Sequence, residues 1–249
     1  MRIVTDDWFE LPRRVSAPRP LWAIGDIHGC TDHLSALYDF LRGAVREPGL
    51  LVHLGDYVDR GRDSPGALSM VRTGPGIAGL EHLALRGNHD QYLMDGAGLE
   101  GAVDLAHFDN WLDWGGKTTF DDLATDPALD PEPRAASLRA ALGPERIAFL
   151  RSTVLMHREG DIVFVHAGLN PARRFDEQTL EDLTYMRKTF IECPPETWPF
   201  DPLVVHGHTP AAFGIDHHRV GVDSGCYKTG TLAMLEMRGR EGRFHRAMV

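Results

Sequence analysis

Thiols are scarce in this chain: Cys30, Cys193 and Cys226 are the three cysteines in 249 residues, and no two form a Cys-x-x-Cys pair. So odd and scattered a set argues against a disulfide framework and does not point to a thiolate zinc site. All three are expected to be free thiols, with Cys30 read as a small buried residue. No apolar run reaches membrane-spanning length, and Met1-Arg2-Ile3-Val4-Thr5-Asp6-Asp7 carries no apolar signal core, so a cytoplasmic protein without a membrane partner is expected. Basic excess is missing too. The formal charge of -10 opposes stable binding to nucleic acid, which needs a basic patch. Phosphate substrates stay open, because divalent ions and a few convergent arginines make a locally positive site in an acidic protein. Repeats and low-complexity tracts are absent.

What is there fits one globular α/β domain spanning 1–249, since a chain of this length buries a full core and its 43% hydrophobic and 25% charged residues are ordinary for that class. Residues 1–20, with Pro12, Pro18 and Pro20, read as an extended lead-in outside the sheet. Residues 31–46 carry Leu34, Leu37, Tyr38, Leu41 and Val45 at helical spacing, a crossover between two strands. Asp63 or Ser64 is placed to cap a second helix with Pro65 in its first turn and Ala67, Leu68 and Val71 on its apolar face. Residues 96–144 turn to short helical pieces broken by Gly and Pro, the expected cap or specificity insert. Phe108, Trp111 and Trp114, at three-residue spacing there, read as core. Gly116-Lys117-Thr118 imitates the end of a P-loop, but Trp111 stands where its first glycine belongs, so a P-loop is rejected. Further on, Glu159-Gly160 reads as a hairpin turn whose second strand ends at His166.

The chemistry gathers at strand ends. Leu21-Trp22-Ala23-Ile24 runs into Gly25-Asp26-Ile27-His28-Gly29. Leu50-Leu51-Val52-His53-Leu54 runs into Gly55-Asp56-Tyr57-Val58-Asp59-Arg60-Gly61, and Leu83-Ala84-Leu85 into Arg86-Gly87-Asn88-His89-Asp90. Asp, His and Asn are hard or borderline O/N donors, suited to manganese, iron or zinc. Asp26 and His28 are two apart, so an extended backbone sends both side chains to one side. A single Gly-Asp turn is ordinary loop chemistry; three in order at similar separations are not.

With Val165-His166-Ala167-Gly168-Leu169 and His206-Gly207-His208-Thr209-Pro210 added, the motifs resemble those of the calcineurin-like metallophosphoesterases, and within them the phosphoprotein phosphatase branch. That resemblance implies a four-layer αββα sandwich, two facing sheets with helices outside, and a dinuclear metal site at strand C-termini. It implies two divalent ions, with manganese as the working ion and iron or zinc as alternatives. Asp26, His28 and Asp56 hold one; Asp56, Asn88, His166 and His208 hold the other. Such a pair, about 3.5–4 Å apart, activates a bridging water for direct attack on phosphorus. His89 is implied as the general acid with Asp59 orienting its ring, while Arg60, Arg187 and Asn88 bind substrate phosphate. Trp111-Leu112-Asp113-Trp114-Gly115-Gly116-Lys117-Thr118 resembles, more loosely, a signature of the bacterial members. The fifth motif ends in Pro210 where many relatives of the superfamily place a second histidine, so His208 is read as the ligand and His206 as structural. His33, His53, His82, His107, His157, His217, His218 and His245 are read as solvated or core residues.

The expected function is therefore hydrolysis of phosphomonoesters, with phosphoserine or phosphothreonine in proteins as substrate, although a small phosphoester fits the same chemistry. A symmetrical dinucleoside-tetraphosphate hydrolase is the nearest rival, and the Asp59-Arg60 pair tilts the reading towards the phosphoprotein branch. A non-catalytic metal-binding module is the rival of another class, because fold alone does not confer activity. Oligomeric state is not legible.

Overall fold

The computed structural model describes residues 1–101, 108 and 110–249, the side chain of Arg14 excepted. Central strands buried at every position, on both faces, build two sheets with three packed interfaces. The first sheet runs in the order β1 (Arg2–Thr5), β12 (Glu241–Met248), β11 (Thr231–Gly239), β3 (Ala17–Ile24), β4 (Gly49–His53), β5 (Leu80–Ala84), with β2 (Phe9–Glu10) also paired to β12. The second runs β6 (Met156–Glu159), β7 (Ile162–Val165), β8 (Leu203–His206), β10 (Arg219–Gly221), β9 (Gly214–Ile215).

Residues i and i+2 of a strand share a face. Leu21 and Ala23 of β3 and Leu50 and Val52 of β4 therefore meet Ile162 and Phe164 of β7 and Leu203 and Val205 of β8 between the sheets. The alternate residues Trp22, Ile24 and Leu51 face outward and are covered by helices α1 (Thr31–Ala44), α2 (Ser64–Thr73) and α5 (Pro131–Ser152). Val165 and Val204 on the second sheet's outer face pack with Leu183 and Phe190 of α6 (Leu180–Tyr185) and α7 (Lys188–Ile191). The result is the αββα sandwich that the sequence implies. Each side chain of this kind stabilises the fold by about 1.5–3 kcal/mol when fully buried.

Register sets the position of the site. In the parallel trio Ile24 stands beside His53 and His53 beside Ala84, so the loops after all three strands emerge at one edge. In the second sheet Val165 stands beside His206, which brings residues 166 and 207–208 out together. Helix α2 begins as its sequence predicts: the Asp63 carboxylate accepts from Gly66 N at 2.8 Å and Pro65 occupies the first turn. The third parallel strand leads into α3 (Asn88–Gly96), and two short helices, α4 (Lys117–Asp122) and α8 (Cys226–Thr229), complete the set among the described residues.

Two expectations are corrected. Residues 1–20 are not outside the sheet, because Arg2–Thr5 and Phe9–Glu10 pair antiparallel with β12 and Ala17–Pro20 already belong to β3. Trp114 is not core: it is 48% exposed, whereas Phe108 and Trp111 are buried. The helical spacing is broken by a wide turn over Leu112–Gly116, in which Gly115 takes φ 111°, and this swings Trp114 outward. Of the insert, residues 102–107 and 109, with His107 among them, lie outside the described residues. No helix among the described residues is long and apolar enough to cross a membrane.

Candidate metal centre

All five motif loops meet in one cleft. His28, Asp56 and His89 place ligand atoms within 4.8 Å of one another, as do Asp56, His166 and His208, and Asp56 belongs to both groups. Its two oxygens divide between them: Oδ2 stands 3.5 Å from His28 Nε2 and Oδ1 3.4 Å from His166 Nε2. Of the seven described non-glycine residues with positive φ, five are here: His28, Asp56, Asp59, Arg60 and His208. Such backbone strain persists only where the surroundings impose it, and it clusters at functional sites.

Close backbone approach does the imposing. A Cβ on Gly87 would lie 2.1 Å from Asp56 Oδ1, and one on Gly207 would lie 2.2 Å from Asp26 Oδ1, so neither position admits a side chain. The buried Asp90 carboxylate then staples two loops together. It accepts from Asp56 N at 2.8 Å, Tyr57 N at 3.0 Å and, as the third residue of α3 reaching back to the cap, Gly87 N at 2.9 Å.

Protonation follows from the hydrogen bonds. His28 Nδ1 donates to Val58 O at 2.7 Å and His166 Nδ1 to Leu54 O at 2.8 Å, and a carbonyl only accepts. Burial lowers both imidazoles, His28 to about 3, and drives His208 well below its usual range, so all three are neutral at pH 7. The Nε2 lone pair of His166 then faces other acceptors, Asp56 and Asn88 Oδ1 at 3.2 Å, while that of His28 stands beside Asp56 and also accepts from Arg60, and that of His208 accepts from Arg187. Burial works to raise the Asp56 carboxyl, yet it is held below the usual carboxylate range, and its Oδ1 accepts from His89 N at 3.0 Å. Asp26 goes the other way, pushed well above the carboxylate range by burial and by Asp223 and Asp56, while both its oxygens accept from His208 N. The Asp56 oxygens, Asn88 Oδ1 and His166 Nε2 converge with no proton between them, the donor arrangement of a cation site, and with His28, His208 and Asp26 beside them these residues fit two divalent ions.

His89 and Asp59 form a separate unit at the same wall. His89 Nδ1 donates to Asp59 Oδ2 at 2.6 Å, and Asp59 also accepts from Trp111 Nε1 at 2.7 Å and Thr119 Oγ1 at 2.5 Å. The insert thus orients the dyad, and neither Trp111 nor Thr119 stood out in the sequence for that purpose. Arg60 Nη1 donates to His28 Nε2 and Arg187 Nε to His208 Nε2, both at 2.9 Å, so the two guanidinium groups reach the cleft from the loop after β4 and from the turn between α6 and α7. The Tyr227 ring lies 4.9 Å from the Arg60 guanidinium. His206 turns away: its Nδ1 faces Gly207 O and its ring packs on Phe190. Sequence reading also passed over Asp90, whose signal was its place three residues into a helix start, and Asp223, which shares the buried pocket of Asp26.

Comparison with known proteins agrees with this geometry. The model of the family described as calcineurin-like phosphoesterase matches residues 19–237. A symmetrical bis(5'-nucleosyl)-tetraphosphatase of Methylococcus capsulatus is 34% identical over 153 residues, 61% of this chain and 44% of that protein. The asymmetrical bis(5'-nucleosyl)-tetraphosphatase PrpE of Halalkalibacterium halodurans is 27% identical over 85% of this chain and 87% of its own length. Serine/threonine-protein phosphatase 1 of Salmonella typhimurium is 40% identical over 90 residues, 34% of this chain and 38% of the phosphatase. The matches to the symmetrical relative and to the protein phosphatase thus span less than half of those proteins. Among solved structures, a metallophosphoesterase from Sphaerobacter thermophilus shares the fold, with a TM-score of 0.53, 20% identity, and coverage of 92% of this chain and 88% of that one. With the family model covering most of the chain and the motif residues gathered in one cleft, this protein belongs to the calcineurin-like phosphoesterase family.

Proposed function

We propose that the chain is a dinuclear-metal hydrolase whose substrates are dinucleoside polyphosphates. The observation that carries hydrolysis is the pair of ligand groups sharing Asp56. Asp26, His28 and Asp56 would hold one ion and Asp56, Asn88, His166 and His208 the other. With that O/N donor set, manganese ions would supply Lewis-acid polarisation of the phosphoryl oxygens and activation of water.

The rest falls to the chain's own residues. Arg60 and Arg187 donate to phosphate oxygens from the two sides of the cleft. As water adds to phosphorus and the bridging P–O bond breaks, the leaving oxygen takes a proton from His89 Nε2. Asp59 keeps the ring aligned by accepting Nδ1–H.

The substrate class rests on the relatives and on the rim. Relatives named for dinucleoside tetraphosphates match 61% and 85% of the chain, against 34% for the protein phosphatase. Two exposed aromatic residues lie at Arg60, Tyr227 with its ring 4.9 Å from the guanidinium and Trp114 with its main-chain carbonyl accepting from Arg60 Nε, and a base stacked on an aromatic side chain gains about 1–3 kcal/mol. This reverses the order in which the sequence ranked the two substrates. Phosphoserine or phosphothreonine hydrolysis is the second reading, favoured by the His89–Asp59 dyad, because an alkoxide leaving group needs a proton more than a phosphate does.

A substrate panel tests the proposal: one manganese-loaded preparation is given diadenosine tetraphosphate, a phosphoserine peptide and an aryl phosphate. The highest kcat/KM is expected for the tetraphosphate. A higher value for the phosphopeptide would establish the second reading, and no turnover with any divalent metal would leave a non-catalytic module.

A further inference from the structure

Three side chains that the hydrolytic reading does not use meet where α1 begins. The sulfurs of Cys30 and Cys226 and one ring nitrogen of His33 all lie within 4.8 Å of one another. Cys30 precedes α1 directly, His33 sits in its first turn, and Cys226 opens α8 from the far end of the chain. Scarcity and spacing argued against a thiolate site in the sequence, and the fold has assembled the set for one. All three cysteines are free thiols. His33 Nε2 donates to Gly230 O at 3.0 Å, which leaves its lone pair on Nδ1; an outer hydrogen bond of this kind fixes the tautomer of a metal-bound imidazole. Cys30, His33 and Cys226 border a cavity of about 570 Å³ together with Arg60 and Tyr227.

We propose that Cys30, His33 and Cys226 form a second metal site, selective for a thiophilic divalent ion such as zinc, with its fourth position open to this cavity and filled by water. Two sulfurs and an imidazole make a softer donor set than the O/N ligands around Asp56, so the two sites sort metals by ligand type. Tetrahedral zinc stands about 2.3 Å from sulfur and 2.0–2.1 Å from imidazole nitrogen, and the three ligand atoms close to those distances by side-chain movement. Binding releases the two thiol protons to solvent. Tyr227, next to Cys226, packs its ring 5.3 Å from that of His28 and beneath Arg60, so an ion bound here bears on the phosphate side of the cleft.

Cobalt(II) added to the reduced, manganese-loaded full chain tests this, because thiolate coordination gives an intense charge-transfer band that O/N ligands do not. One such band is expected, saturating at one cobalt per chain, bleached by zinc, absent from both Cys30→Ser and Cys226→Ser, and retained in Cys193→Ser. Manganese retained at the Asp56 centre, read by elemental analysis, reports that each variant is folded. Should a serine variant fail to fold, His33→Ala carries the test: cobalt affinity at the thiolate site should drop at least about tenfold. No thiolate band in the unaltered protein, or a band that survives both serine substitutions, or unchanged affinity in His33→Ala, would overturn the site.

Discussion

The cleft has a floor and a rim, and they are built in different ways. On the floor, His28, Asp56 and His166 are fully buried, the backbone is strained, and each imidazole is fixed by a main-chain carbonyl. On the rim, Arg187, Trp114 and Tyr227 are exposed, Arg60 is half-buried, and each is held by a few contacts from a long side chain. The contrast assigns two tasks. On the proposed function, main-chain geometry would set the reaction, since side chains fixed this way cannot re-aim, whereas side chains free to move would choose what enters.

The largest effect should come from the floor. Asp56→Asn is expected to empty both metal positions and to cost more than the roughly 10²–10⁴-fold typical of a removed acid–base group, whereas Asp26→Asn mainly empties one. Elemental analysis of metal per chain checks this, and two ions retained in Asp56→Asn would sink the shared-ligand reading. Next in size, His89→Asn should lose about 10²–10⁴-fold on a phosphoserine peptide, and less on an aryl phosphate or a tetraphosphate, whose leaving oxygens are weaker bases. His89 also lies within ligand distance of His28 and Asp56. Metal content of the variant therefore decides its role: both ions kept makes it the acid, one ion lost makes it a ligand.

The floor was legible in the sequence because its residues sit within a few positions of parallel strand ends, where pattern and motif coincide. The helix cap at Asp63 and the crossovers were legible for the same local reason. What escaped were partners brought together by register across the chain. Asp59 finds Trp111 and Thr119 in the insert, Cys30 finds Cys226, and Arg2–Thr5 finds β12; no local period announces these pairs. Trp114 misled for a related reason, because a wide turn with Gly115 at positive φ shifts the helical count by which it was placed.

Two substitutions at the junction of floor and rim should act more weakly. Trp111→Phe keeps the buried ring but removes its hydrogen bond to Asp59. A loss of about 10–100-fold in kcat on phosphoserine is expected, with KM little changed. A rise in KM with kcat little changed would show that Trp111 acts through substrate binding. If Arg187 binds substrate phosphate as proposed, Arg187→Ala should raise KM about tenfold with kcat nearly constant, measured on diadenosine tetraphosphate. If kcat falls instead, Arg187 belongs with the floor.

The smallest effect is one of stability. His53 is buried away from the cleft, with Tyr38 OH on Nε2 at 2.7 Å, and burial lowers it to about 3. Its folded pKa lies below the unfolded value near 6.5, so the unfolded chain binds the extra proton between those limits. This contribution is complete above about pH 6.5 and is lost as pH falls towards 3, by about 1.4 kcal/mol per pH unit. Denaturant unfolding of His53→Gln should show a shallower loss of stability over that window than the unaltered protein. Parallel curves would assign the acid sensitivity to other groups.

The central claim, that one cleft holds two ions with Asp56 between them, is tested most directly by anomalous diffraction at the manganese edge from crystals of the manganese-loaded protein. Two peaks are predicted, one beside Asp26 and His28, the other beside Asn88, His166 and His208, each within bonding distance of a different Asp56 oxygen. A single peak, or two peaks of which one does not touch Asp56, would contradict it.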